Sequence, residues 1–291
     1  MTQRAEIRFA EPADIEPICR LMASPLVPLP FWRRMLAYSW LAAEEKPDLG
    51  AVIVAGSEIV GFLGAMYSNR MIEGKLERFC NVFGWLVKPE YRHYSVPLLS
   101  FLVQRPGFTF FNVTPADHVV PIFNRIGFRL ADELRYVCRP RLNMLLGGRS
   151  KVTVVREDEV TEGLLGGPQF RIFQDHFGHS VRRFVLTASD EICLIFTKRM
   201  YWSQVRFPRT ELYYASNPEF LSKHFQSILP ILLRRDKTAA LHIDQRHLNF
   251  HPKGAHTVPA GSMYPSAMLA RSNTVPMTAI DRLYSELVIL P

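Results

Sequence analysis

Cysteine is scarce in this chain of 291 residues: Cys19, Cys80, Cys138 and Cys193 stand far apart, with no C-x-x-C pair. That excludes a disulfide framework and fits reduced thiols in a cytosolic protein. Long hydrophobic runs are missing as well. No stretch approaches roughly 20 consecutive apolar residues, the length that spans a bilayer. The opening MTQRAEIRF has no apolar core of signal-peptide length. The expectation is a soluble, cytoplasmic protein without a membrane span. Blocks of like charge are absent too, since Arg33-Arg34, Arg182-Arg183 and Arg234-Arg235 are only pairs. The net charge of +8 still favours a polyanionic partner. With no groove-reading motif beside it, nucleic acid is disfavoured. What is present is ordinary globular composition, 48% hydrophobic and 21% charged, which argues against disorder. The length suits one large or two ordinary domains.

Residues 81–102, NVFGWLVKPEYRHYSVPLLSFL, are the stretch around which the rest is arranged. Val82, Phe83, Trp85 and Val87 are β-formers in a largely apolar run and read as a buried strand. Pro89 ends it, because proline cannot donate to a ladder. Leu98, Leu99, Phe101 and Leu102 then repeat at helical spacing, with Ser95 as N-cap and Pro97 in the first turn. Strand, short basic turn and helix start make an anion site. Orphan N–H groups and the helix dipole favour a phosphate there, and Arg92 and His93 add donors.

Before this stretch, residues 6–9 alternate as a strand, and Glu11-Pro12-Ala13-Asp14 opens a helix with Ile15, Ile18, Cys19 and Met22 on its apolar face. Residues 24–30 hold three prolines and read as a loop, and residues 31–43 as an aromatic core helix. Residues 51–55 and 58–66 flank Gly56-Ser57 as a β-hairpin, and residues 77–87 form the fourth strand. Residues 108–113 (FTFFNV) follow as a strand, and VVPIFNRIGFR at 119–129 as a helix.

Over residues 5–138 this order resembles the GNAT acyltransferases. The likeness is carried by the opening IRFAEPADIEPICRLM, by Val87-Lys88-Pro89-Glu90-Tyr91-Arg92, and by the closing Gly127-Phe128. That family binds acetyl-CoA through Arg/Gln-x-x-Gly-x-Gly/Ala. Here the loop is Arg92-x-x-Ser95-x-Pro97, with the arginine kept and both small positions changed. The resemblance implies acetyl-CoA, or another acyl-CoA, as co-substrate. CoA, with its phosphates, suits the basic charge. Its pyrophosphate would lie on the backbone of His93, Tyr94, Ser95 and Val96, with Arg92 ordering the loop and Leu86, Val87 and Lys88 pairing with the pantetheine arm. Asn112 and Asn124 are further hydrogen-bonding candidates.

The resemblance also implies transfer to an amine deprotonated by a base, with strand N–H groups polarising the thioester. Candidate bases are Glu77, Asp117 and His118. The family's thiolate-protonating tyrosine falls on Phe123, which has no proton to give. A CoA thiolate with a pKa of roughly 8.5, by analogy with Cys, can leave without it. Cys80 lacks a paired histidine and reads as a buried structural thiol.

The second half echoes the first at offsets of 129 to 133 residues. Ala188-Ser189-Asp190-Glu191 repeats the hairpin turn at 55–58, and Asn217-Pro218-Glu219-Phe220 repeats Lys88-Pro89-Glu90-Tyr91. A helix at 225–233 and a strand at 238–243 follow. This is a tandem duplication, with Leu221 in place of Arg92, so the second copy is not expected to bind CoA. Residues 139–150, with Gly147-Gly148, read as the linker, and Gly166-Gly167 as a turn. His247 and His251 have the spacing of a helical metal pair. Pro252 follows at once and no HExxH carboxylate lies between, so they read as loop or acceptor-site lining, as do His176 and His179. No metal is expected.

The expected fold is therefore α/β (α+β), with tandem GNAT-like domains at 1–140 and 151–291, each a mixed twisted sheet flanked by helices. The expected activity is N-acyltransfer, acetyl first, to a small-molecule or protein amine. The second domain would shape the acceptor site or, through an exposed helix, a homodimer surface. Two alternatives stay open: a catalytically degenerate CoA-binding regulatory or scaffold protein, and an aminoacyl-type transferase with an RNA-bound donor, since those also pair such domains.

Overall fold

The structure is a computed structural model that describes residues 4–25, 27–38, 40–41, 45–131, 134–141, 152–202, 205–259 and 268–290. In chain order the first elements are β1 (Ala5–Phe9), α1 (Ile15–Met22), α2 (Leu29–Ala37), β2 (Gly50–Ala55), β3 (Glu58–Ile72) and β4 (Lys75–Val87). Next come α3 (Ser95–Val103), β5 (Thr109–Asn112), α4 (Val120–Arg125), β6 (Arg129–Leu130), β7 (Leu134–Cys138) and β8 (Thr153–Val155). Then follow α5 (Glu162–Leu165), α6 (Gly167–Asp175), β9 (Arg182–Ala188), β10 (Glu191–Trp202) and β11 (Val205–Ala215). The last are α7 (Pro218–Asp236), β12 (Leu241–Asp244), β13 (His256–Pro259), β14 (Leu269–Arg271) and α8 (Glu286–Ile289). The expected linker lies, from residue 142 on, outside the described residues. No helix among the described residues is long and apolar enough to cross a membrane.

Two units result. One comprises Met1–Leu130, Met268–Ile280 and Tyr284–Ile289, the other Ala131–Ala267, Asp281–Leu283 and Leu290–Pro291. The first sheet has the order β1-β2-β3-β4-β5-β14-β6; the second, taken from its β8 edge, runs β8-β9-β10-β11-β12-β7-β13. Each holds one parallel pair, β4 with β5 and β11 with β12. The expected duplication is therefore present in the backbone, strand for strand.

The contiguous division at 1–140 and 151–291 needs correction. β7, from the first half, pairs with β12 and β13 in the second sheet. β14, from the far end of the chain, pairs with β5 and β6 in the first. The reason is backbone accounting. The facing edges of β5 and β6 carry N–H and C=O groups that must be paired, and a strand from either half can do so.

Each unit packs its long helix on its own sheet. Leu98, Leu99 and Leu102 of α3 meet Cys80, Val82, Phe110 and Phe123. Phe220, Leu221, Phe225, Ile228 and Leu229 of α7 meet Cys193, Ile195, Leu241 and Ile243. Several expected helices shift, α4 among them, which covers 120–125 rather than 119–129. α2 covers 29–37 rather than 31–43, because Pro30 is tolerated in a first helical turn and Tyr38 is already extended. α7 covers 218–236 rather than 225–233, since Asn217 caps it by accepting the Phe220 N–H at 2.9 Å. Ser95 is not an N-cap. A 3-10 turn at Pro89–Tyr94 runs directly into α3, and Ser95 is already helical.

A fragment of residues 1–140 keeps β5 and β6 but loses the strand between them. It is expected to aggregate or to melt without cooperativity when followed by circular dichroism. A sharp, reversible melt of that fragment would overturn the pairing of β14.

Candidate active site

In the first unit β4 and β5 are paired for three residues only, Phe79 with Thr109, Cys80 with Phe110 and Asn81 with Phe111. β4 then continues to Val87 bonded to β3 alone, so a fork opens beyond Asn81. Between the pairs Phe62–Leu86 and Gly64–Phe83 the single residue Leu63 faces both Gly84 and Trp85, which marks a bulge on β4. Gly84 on β4 has φ +60°, and a Cβ there would lie 3.1 Å from the Trp32 ring. Glycine meets both demands.

A buried polar cluster sits at the mouth of this fork. Asn81 is fully buried, and its Nδ2 donates to Glu286 Oε2. The Thr114 hydroxyl donates to Glu286 Oε1 at 2.6 Å, and Asn112 Oδ1 accepts the Thr114 N–H at 2.9 Å. Asn81 Oδ1 and, two residue pairs along the β3–β4 ladder, Ser68 Oγ are buried without a hydrogen-bond partner among the described residues. An unsatisfied buried acceptor costs about 1–3 kcal/mol, and each such group calls for a physical reason, a catalytic role among them. Glu286 was not anticipated. It lies 205 residues from Asn81 in sequence, and no local pattern marks it.

No family model matches the chain, and no curated protein does. Solved structures do. The GCN5-related N-acetyltransferase from Anabaena variabilis ATCC 29413 superposes with a TM-score of 0.53 at 11% identity, over 92% of this chain and 72% of that one. The GCN5-related N-acetyltransferase from Kribbella flavida gives 0.53 at 15%, over 93% and 71%. A conserved protein from Enterococcus faecalis V583 gives 0.55 at 10%, over 92% and 73%. The fold is that of the GCN5-related N-acetyltransferases. At such identities the likeness is one of fold, and the site must be judged on its own residues.

The residues expected from the GNAT resemblance fall into three groups. Leu86, Val87 and Lys88 end β4 beyond the fork; Val87 opposes Gly61, the Lys88 N–H donates to Val60, and the Lys88 ammonium pairs with Glu58. Arg92, His93 and Val96 are exposed and Tyr94 and Ser95 half-buried, but the Ser95 N–H donates to Arg92 O. The tight turn thus spends one backbone donor of the expected cradle within itself. Among the proposed bases, Glu77 sits at the opposite end of β4 from the fork, with its carboxylate on the Thr274 hydroxyl at 3.0 Å. Asp117 and His118 are exposed on the turn before α4, and Asn124 is exposed on α4. Phe123 is fully buried, edge-on to Trp85 and Phe128 at 5.8 and 4.8 Å. Burial pushes the Cys80 thiol well above its ordinary value, as a structural thiol requires.

The second GNAT-like unit forks at the same place, after Glu211 and His242. Leu221 is in the core. The cavity beside Asn217 is lined by Ser216, Gln169, Asn249 and Glu219 among others, with no cation. Its sheet instead buries ionic groups. Arg209 holds Glu211 at 2.9 Å, and Arg135 holds Asp244 at 2.8 Å. Burial alone would raise Asp244, yet Arg282, Arg135 and Arg246 keep it well below the usual carboxylate range. His247 ends a 3-10 turn and His251 packs on Tyr136, so the two do not share a helix. Among the described residues no group of three or more His, Cys, Asp or Glu could hold a metal ion.

Burial, with Arg209 and Arg135, pulls His242 down to about 3, and burial with Arg246 pulls His247 down to about 4, from an ordinary value of 6.5. Below pH 6.5 the unfolded chain binds protons that the folded chain refuses. The stability contribution of these neutral rings is complete above that pH and lost as pH falls towards the folded values, by up to about 1.4 kcal/mol per ring per pH unit. Urea midpoints from neutral to mildly acid pH are expected to fall, less steeply for His242→Gln. An equal slope in that variant would contradict the account.

Proposed function

We propose that the chain is an acyl-CoA-dependent N-acyltransferase whose working site is the fork of the first unit. The observation that carries this is the buried Glu286 carboxylate, held by Asn81 and Thr114 where β4 parts from β5. Glu286 takes a proton from the acceptor amine, replacing Glu77, Asp117 and His118 as the preferred base. Asn81 Oδ1 accepts the amine's remaining N–H and aims its lone pair. The open edge of β4 offers backbone donors and acceptors that suit a pantetheine amide, and Arg92 and His93 would meet the phosphates through their side chains. Acyl-CoA supplies the thioester, acetyl-CoA being the first donor to try.

A second reading is favoured by Phe123 and by the consumed Ser95 N–H: a CoA-binding protein of this fold that has no turnover.

Calorimetric titration with acetyl-CoA, free CoA and longer acyl-CoAs is the primary test, repeated on Arg92→Glu. Binding that this variant abolishes, together with turnover on some primary amine, is the expected result. Glu286→Gln is expected to lower kcat about 10²–10⁴-fold while leaving acyl-CoA affinity unchanged. No binding of any acyl-CoA would sink the proposal. Binding without turnover on an amine panel would select the second reading.

A further inference from the structure

A basic cavity lies in the second unit, between the C-terminal end of α7 and the start of β9, well away in sequence from the fork residues. It encloses ≈ 330 Å³ and is lined by Arg182, Arg183, Arg235 and His179, with Glu157 the one carboxylate among its lining side chains. We propose that this cavity binds a phosphate-bearing small molecule, and that the ring of Phe177 beside it favours a nucleotide over a bare phosphate.

Two of the three guanidinium groups are fixed in place. Arg183 lies over the rings of Phe173 and Phe177, 4.3 and 4.7 Å from their centroids, and donates to Phe173 O at 3.0 Å. Arg182 donates to Arg235 O and pairs with Asp236 at 3.0 Å. Guanidinium groups ordered in advance lose little further entropy when they bind an anion. Arg235 is the third. It is exposed, and its guanidinium makes no hydrogen bond or ion pair among the described residues.

The nearby negative charge is poorly placed to compete. Glu157 meets Arg183 at 3.1 Å with a side chain 60% exposed, so solvent and salt weaken the pair. Asp236 is fully buried behind Arg182 and accepts from the Thr197 hydroxyl at 2.9 Å. Burial, with the neighbouring His176 and Arg183, holds His179 below its ordinary value. The surroundings act in the same direction: the second unit holds 20 Lys and Arg against 14 Asp and Glu, the first 15 against 13. Phe177 is 72% exposed, an aromatic left in water with Arg183 beneath one face. Its open face is the size of a nucleobase, and stacking there would remove apolar area from solvent. A competing account makes Arg182 and Arg235 mere counter-charges to the carbonyl end of α7. It explains neither the position of Arg183 nor the exposure of Phe177.

The intact protein would be titrated calorimetrically with ADP and with inorganic pyrophosphate, and the His179 ring followed by NMR against pH. Expected are binding of both, an upward shift of His179 on loading, and a loss of affinity of about tenfold or more in Arg235→Glu. Arg20→Glu, the same charge change on an exposed residue of the first unit, should leave the affinity unchanged. Arg92→Glu should do the same, which separates this cavity from the acyl-CoA site. Arg235→Gln removes the charge without reversing it and covers the case in which Arg235→Glu misfolds. Phe177→Ala should weaken ADP and spare pyrophosphate. No binding, or an equal loss in Arg20→Glu, would overturn the site. Equal ADP affinity in Phe177→Ala would overturn the nucleotide assignment.

Discussion

The short ladder that β14 makes with β5 and β6 is the constraint on which the first unit depends. Leu269 stands opposite both Asn112 and Leu130, so three backbone segments remote in sequence are held together by one residue's neighbourhood. Arg271 extends the hold by donating to Val103 O at the end of α3. With β14 anchored, the chain that follows it is tethered near the end of β5, and Glu286 can reach Asn81. The carboxylate at the fork is thus a consequence of strand pairing rather than of any feature near Asn81 itself.

The two units show how little of this chemistry belongs to the backbone. Both sheets have one parallel pair, and both part after two or three bonded residues. At the last bonded pair one unit has Asn81 and Phe111, the other Glu211 and His242. At the matched turn positions stand exposed Arg92 and buried Leu221. One frame retains an accessible basic turn and unsatisfied acceptors. The other buries ion pairs in the same region, with His242 Nδ1 left unpartnered among the described residues. Function here is set by side chains placed on a common frame.

Most of that frame was legible because its signals are local. Pro89, the Gly56-Ser57 turn and the β-formers from Val82 to Val87 are local signals, and the similar punctuation at 188–191 and 217–220 exposed the repeat. The exchange of β7 and β14 was not legible. LRYVC and the strand at 269–271 have the composition of any short apolar strand, and partner choice is settled by which edge is vacant. The site divides in the same way. Arg92 and Phe123 stand at positions that a motif marks, and Glu77, Asp117 and His118 stand near the fork's strands in sequence. Glu286 reaches the fork through tertiary structure alone. The 3-10 turn also defeated the motif: a capping serine and a proline suggested free N–H groups, and Tyr91 and Ser95 bond back into the turn instead.

The exchanged strand has a consequence for how the protein is made. Ribosomes deliver the first half early, complete in helices and in all but one strand of its sheet. That half must nevertheless wait, with the edges of β5 and β6 exposed, until residues 269–271 have left the exit tunnel. Domain-by-domain folding during synthesis is the usual protection against aggregation, and this topology gives it up. The second sheet, by contrast, receives β7 before most of its own strands exist. Nascent chains of this protein should therefore rely on chaperones until those residues emerge.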